Sequence, residues 1–424
     1  MNRRIPILMI SSIVTIVTVL AIVSYNTASA NPPLINITSS NSNFESDYHR
    51  FSVFGQPTIT DNEDIVFSAS LTNDSSSYRI FKSTKGVISS IVASGDPTPV
   101  GGVFSVVGSP SANSDKVIFH GIIKKGSSNQ GIFQKSNGKI SKIVLEGDAA
   151  PDGGVFAEFS SSPRSVNKKG DIVFYSFVQK SLVEKGELEF FGKNGIFKFS
   201  NDQITKIVLI GDPAPNGGNF NIIRYGVQPI NDNGDIVFTS TVIDGSYFQG
   251  IFKSSGGKIS SVISSGEKND KGITFSQFGP PSINNKGDVV FFGGNTNIPS
   301  SKGIYKISEG KVSKMLSVGD VSPLGGTFHN MDSILIDDKG NISFLGFIKD
   351  GKSNYGVFRI SGNKISNVSN GDISPTGETF KSVFMPIMNN NGNVVFSALL
   401  NSKTPTQGIF LMNLAKPYTL LGGK

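Results

Sequence analysis

The sequence predicts an all-β fold: a seven-bladed β-propeller built from seven four-stranded repeats of about 52 residues. Three observations carry this expectation. A turn running into a strand, read Asn231-Asp-Asn-Gly-Asp-Ile-Val-Phe238, recurs with its last Phe at Phe67, Phe119, Phe174, Phe238, Phe291, Phe344 and Phe396. The strand in that motif is apolar on both alternating faces (Ile236 and Phe238 against Val237), so it must be covered on both sides, as in a sheet stacked between two others. The strand before it carries a Pro in six repeats (Pro57, Pro110, Pro163, Pro229, Pro281, Pro386). Pro cannot donate to a ladder, which assigns that strand to an edge.

Other anchors keep the same order. The aromatic of the Gly-Ile-Phe segment stands at Phe81, Phe133, Phe197, Phe252, Tyr305, Phe358 and Phe410. It follows the first anchor by 14 residues in every repeat except the third, where the gap is 23. A Gly-acid pair ends at Asp96, Asp148, Asp212, Glu267, Asp320 and Asp372, and a Phe stands eight residues after each acid, with Phe51 as its counterpart in the first repeat. In the fourth repeat strand A is expected over 220–230, B over 235–242, C over 250–254 and D over 258–264. The blades then span about 51–102, 103–154, 155–218, 219–272, 273–326, 327–378 and 379–424. In an up-and-down blade the B–C loops and the Gly-Asp-x-x-Pro-x-Gly-Gly crossovers share one face, here called the upper face. The Asn-x-x-Gly turns lie on the lower one. Two closures remain open: repeat seven supplies its own outer strand (Tyr418–Leu421), or Leu34–Thr38 pairs with a blade edge.

The first thirty residues stand apart. Arg3 and Arg4 precede an apolar run from Ile5 to Val23, followed by Ala28-Ser29-Ala30. This is the pattern of a secretory signal, with a run long enough for an uncleaved membrane anchor as the rival reading. Either way the ring is expected outside the cytoplasm, at the cell surface or extracellular. Residues 31–50, rich in Ser and Asn, read as a linker. Four glycosylation sequons occur, at Asn36, Asn73, Asn341 and Asn367.

Composition excludes several chemistries. With no Cys, disulfides, zinc-thiolate sites and thiol nucleophiles are impossible. The net charge of +7 is spread over single lysines without interleaved aromatics, so nucleic acid is not an expected partner. Only His49, His120 and His329 are present, and neither a Gly-x-Ser-x-Gly nor a His-Glu-x-x-His motif occurs. The absence of Trp removes sialidase-type Asp-boxes and quinone-docking motifs.

The turn-strand motif resembles that of a family of secreted, anchored proteins with Asn-x-x-Gly-x-x-x-Phe tandem repeats. Full matches are Asn167/Gly170/Phe174, Asn231/Gly234/Phe238, Asn284/Gly287/Phe291 and Asn389/Gly392/Phe396. The sixth repeat has Asp337/Gly340/Phe344, and the first two depart from the pattern. The resemblance implies a propeller-like architecture and an exported location, and it carries no catalytic residue.

Three places remain for function. The six crossover acids, Asp96, Asp148, Asp212, Glu267, Asp320 and Asp372, would ring the upper channel mouth and bind a cation or a basic ligand. Alternatively each accepts hydrogen bonds from its own crossover backbone. The fourth crossover, Gly266 to Gly272, lacks the Asp and Pro of the others. The insertion of repeat three, with Glu187, Phe190 and Phe191, reads as a partner-binding loop or as a hairpin extension of its own blade. No cofactor is expected, although calcium is the alternative occupant of the oxygen-rich Asn-Asp-Asn-Gly-Asp turns. The functional expectation is a monomeric, non-catalytic binding or structural module for a surface protein or glycan. A glycan hydrolase or lyase with carboxylates at the upper channel is the competing class.

Overall fold

The computed structural model describes residues 33–40, 42–44, 46–72, 74–160, 165–184, 187–269, 271–402 and 406–412. Among these residues there is no helix, and hence none long and apolar enough to cross a membrane. Seven small antiparallel sheets form a ring, a seven-bladed β-propeller. Blade 2 shows the plan: strand A is Val103–Val107, B is Val117–Lys124, C is Gln130–Ser136 and D is Lys139–Leu145, hydrogen-bonded in the order D-C-B-A.

Each blade is nailed together by three rings, one from each of strands A, B and C. The B and C rings face each other in register, Phe67 with Phe81 in blade 1 through to Phe396 with Phe410 in blade 7. They stack with centroids 5.4–5.9 Å apart. The A-strand Phe meets the C ring edge-on at 4.8–5.0 Å. This is the arrangement favoured by the quadrupoles of aromatic rings. All of these rings are buried, which accounts for most of the 32 Phe in the chain. Strand B is covered on both faces as expected: Ile236, Val237 and Phe238 are all buried, with Val237 packing in the core shared with blade 5.

Pro and Gly do the punctuation. Where strand A carries its Pro it breaks, leaving a short inner piece such as Ser111–Ala112 that pairs with strand B. Blade 6 has no Pro there, and its strand A runs unbroken over Thr327–Ile336 with a bulge that puts Ser333 at φ 52°. In four of the six crossovers a second Gly is required, and the fourth and sixth carry Ile273 and Glu378 in its place. Gly102 sits at φ 72°, and a Cβ there would run into the carbonyl of Lys124.

The ring closes through its own N-terminal segment. Leu34–Ser39, inside the stretch expected as a linker, is an antiparallel strand beside strand C of blade 7 (Thr406–Met412), pairing Leu34 with Met412 and Ser39 with Gly408. It takes the outer position expected for Tyr418–Leu421, which lies outside the described residues. The reason is in its pattern: Ile35 and Ile37 pack on the core shared by blades 7 and 1. Register also sets its direction. Strand C of blade 7 descends from the upper face, so Leu34 starts at the lower face.

Candidate functional site

The lower face is a lock. In each Asn-headed turn the side chain works twice. Asn231 Oδ1 accepts the backbone N–H groups of Asn233 (3.1 Å) and Asp235 (2.9 Å), closing its own turn, while its Nδ2 donates to the carbonyl of Asn284 in the next blade at 3.0 Å. The same cross-seam bond runs from Asn113 to Asn167, Asn167 to Asn231, Asn284 to Asp337 and Asn389 to Thr60. This explains why the motif begins with Asn. Asp can close the turn, but only an amide also donates. Blade 6 has Asp337, fully buried, and there the Arg359 guanidinium approaches the carboxylate at 3.8 Å. Burial lowers the Arg359 pKa, and Asp337 partly offsets it. The next residues form a second ring, in which the carboxylates of Asp61, Asp232 and Asp338 accept N–H groups of Asn390, Lys168 and Asn285. These oxygens already face donors. Asp61 and Asp232 help to line a lower channel cavity of about 160 Å³.

The six crossover acids have a shared geometry. Each accepts the backbone N–H of the residue three before it: Asp96 from Ala93, Asp148 from Leu145, Asp212 from Leu209, Glu267 from Ser264, Asp320 from Ser317 and Asp372 from Ser369, at 2.7–2.9 Å. The Asp96 carbonyl in turn accepts the N–H of Phe104, the first ring of the next blade. The acids are thus distributed one to each of the six seams that a crossover spans. Among the described residues no three His, Asp or Glu side chains gather as a metal site. The irregular fourth crossover keeps the device: Glu267 reaches as far as the shorter acids do, and Asn269 Oδ1 accepts the N–H groups of Lys271 and Ile273.

The insertion in blade 3 is a continuation of its sheet. Strand B, Ile172–Glu184, pairs with strand C, Glu187–Ser200, out to Glu184 opposite Glu187. Lys180 Nζ donates to the Asp152 carbonyl at 2.6 Å, tying the hairpin to the neighbouring crossover. Phe191 is half-exposed, while the side chains of Glu187 and Phe190 lie outside the description. Of the sequons, Asn341 and Asn367 are buried, Asn36 sits in the closing strand, and Asn73 lies outside the described residues.

A second concavity lies elsewhere. A pocket of about 510 Å³ opens toward the upper face where blades 6, 7 and 1 meet, lined by Phe54, Gly55, Gln56, Leu345, Phe347, Tyr355, Val383, Phe384, Met385, Ser397 and Gln407. Its walls are mostly aromatic and aliphatic, with Gln56, Ser397 and Gln407 as the polar groups, and among the described residues no Asp, Glu, His, Lys or Arg lines it. Phe384 is 40% exposed, and Phe347 is flanked by Tyr355 at 6.3 Å and by His329, stacked at 6.2 Å on the rim. Gln407 fixes one wall. Its amide exchanges two 3.0 Å hydrogen bonds with the backbone of Phe54 across the seam. Gln56 Nε2 is buried and finds no hydrogen-bond partner among the described residues. The sequence reading directed attention to blade 3 and the fourth crossover and passed over this seam. The available signals were the missing Pro of blade 6 and two aromatics, Phe347 and Phe384, that belong to no repeat anchor.

Matches to one family pattern extend over residues 37–187, 179–272 and 248–416, nearly the whole ring. The chain belongs to DUF7453, a family of unknown function. No curated protein matches this member in sequence. Solved structures match the DUF7453 chain at low identity. A puromycin-hydrolyzing peptidase of Mycobacterium tuberculosis is 10% identical with a TM-score of 0.47, over 84% of this chain and 53% of that one. The polysaccharide lyase Uly1 is 10% identical with a TM-score of 0.44, over 91% and 99%. A Trypanosoma rangeli sialidase in complex with sialic acid is 13% identical with a TM-score of 0.36, over 90% and 59%. The chain therefore spans about half of the peptidase and three-fifths of the sialidase.

One titratable group inside this DUF7453 ring has a physical consequence. His120, on strand B of blade 2, is buried with Nε2 3.0 Å from Gln130 Oε1. Burial lowers its pKa, and the Gln130 hydrogen bond offsets part of that. The folded chain thus resists a proton that the unfolded chain accepts below about pH 6.5. Stability is lost as pH falls from there toward the folded value. The melting temperature of the wild type should drop more steeply between about pH 6.5 and 5 than that of His120→Gln. Parallel curves would show that His120 does not contribute.

Proposed function

We propose that this protein is an exported binding propeller whose ligand seat is the apolar pocket between blades 6, 7 and 1. The observation that carries the reading is the pocket's lining. Its volume falls in the range of about 300–1,000 Å³ typical of ligand sites. Its walls are mostly aromatic and aliphatic, and among the described residues that line it there is no carboxylate or imidazole of the kind hydrolysis or elimination needs, His329 standing outside the lining against Phe347. The rigid ring presents the seat, and the interlocked lower face holds its geometry. Export rests on the signal-like first thirty residues and on the likeness of the Asn-x-x-Gly-x-x-x-Phe repeats to secreted, anchored proteins.

The test uses a neutral solvatochromic dye, Nile red, with the ring of residues 31–424. One-to-one fluorescence enhancement is expected, with affinity falling at least about tenfold in Phe384→Asp. The melting temperature should change little, because Phe384 is partly exposed already. Equal binding by both proteins would place the seat elsewhere.

A further inference from the structure

We infer that the pocket takes an apolar side chain of an extended polypeptide, and that Gln56 reads the carbonyl beside it. This deepens the binding reading above and rests on it. Electrostatics narrows the ligand first. With no charged side chain in the lining, an ion entering the pocket would lose its hydration without a counter-charge, which disfavours acidic sugars, phosphates and ammonium groups. A neutral sugar carries hydroxyls around its whole ring, whereas the lining is mostly apolar and would strand many of them. Gln407 cannot turn to help, since both ends of its amide hold the Phe54 backbone.

What the pocket does offer is one bare donor. Gln56 Nε2 is buried without a partner at the waist where the upper pocket meets the lower channel cavity, since Gln56 lines both. An apolar group with a single acceptor beside it satisfies both the walls and the floor, and a peptide residue has that composition. The wall next to it suits an extended chain. Phe384 and Met385 follow strand A of blade 7 (Thr379–Val383), the edge strand of its sheet; its first two residues also pair with the preceding crossover, Thr379 with Ile373 and Phe380 with Gly371 and Asp372, and beyond them strand B is its one ladder partner among the described residues. Edge backbone of this kind accepts an added strand.

The experiment is calorimetric titration of the 31–424 ring with N-acetyl-Leu-Phe-Leu-amide, maltotriose and the carbonyl-free probe propylbenzene. The peptide should bind, and Gln56→Leu should weaken it about tenfold relative to propylbenzene, whose affinity should not fall because it has no carbonyl to lose. Gln56→Glu, which exchanges the donor for a carboxylate, should weaken the peptide at least as much, and both variants should melt within a few degrees of wild type. Peptide affinity indifferent to both substitutions overturns the role of Gln56. Maltotriose binding in place of the peptide overturns the ligand class while leaving the seat. If no probe binds and Nile red also fails, the seat itself falls.

Discussion

Deleting residues 31–40 is expected to lower the unfolding free energy by roughly 5 kcal/mol, from lost ladder hydrogen bonds and uncovered apolar surface. That approaches the whole margin of a marginally stable domain. The strand Leu34–Ser39 is the outer strand of blade 7, and Ile35 and Ile37 cover the core between blades 7 and 1. Removing it exposes the edge of Thr406–Met412 and loosens the seam that Ser40 also holds, through its hydroxyl to the Ser52 carbonyl at 3.0 Å. The measurement is a denaturant titration. The shortened chain should unfold at a much lower midpoint, and an added peptide of residues 33–40 should restore part of the loss. An unchanged midpoint would mean that another segment, such as Tyr418–Leu421, takes the outer position.

The second large effect belongs to the amide lock. Asn231→Asp keeps the oxygen that closes the turn but removes the donor to Asn284 and sets a carboxylate against a carbonyl at a site only 3% exposed. The expected cost is about 3 kcal/mol. Blade 6 indicates the remedy, because its buried Asp337 faces Arg359 on strand C. Lys253 occupies the position of Arg359 in blade 4, one residue after the strand C Phe. Adding Lys253→Arg to Asn231→Asp should recover part of the loss, whereas Lys253→Arg alone should be nearly neutral. A double mutant no better than the single would show that Arg359 does not compensate for Asp337. A double-mutant cycle read by thermal or denaturant unfolding decides it.

The repeat anchors made the fold legible because each does one local job seven times. Phe238 and Phe252 pair across a hairpin within 14 residues, so their spacing alone reports the geometry. The turn of Asn231 was equally readable as a turn. Its second role was not, since the carbonyl it reaches belongs to a residue 53 positions on. The same limit left closure open: Leu34 meets Met412, and no periodicity connects the two. The candidate seat was hidden for a related reason. Gln56, Phe347 and Phe384 come from three blades and none belongs to a repeated anchor. Repetition reports the scaffold, while the seat depends on departures from it that acquire meaning only once the ring brings them together.

The closing strand also sets an order of events. Blades built from neighbouring residues can form as the chain lengthens, because their contacts are local. The seam between blades 7 and 1 cannot, since it needs Leu34–Ser39 beside Thr406–Met412, the beginning of the ring beside its end. Until the final strand is made, the first one has no ladder to join and its apolar residues stay uncovered. A chain threaded across a membrane from its N-terminus would carry that unpaired strand through first and use it last. Completion of the ring is thereby tied to arrival of the whole chain, and a truncated product would be left with an open, aggregation-prone edge.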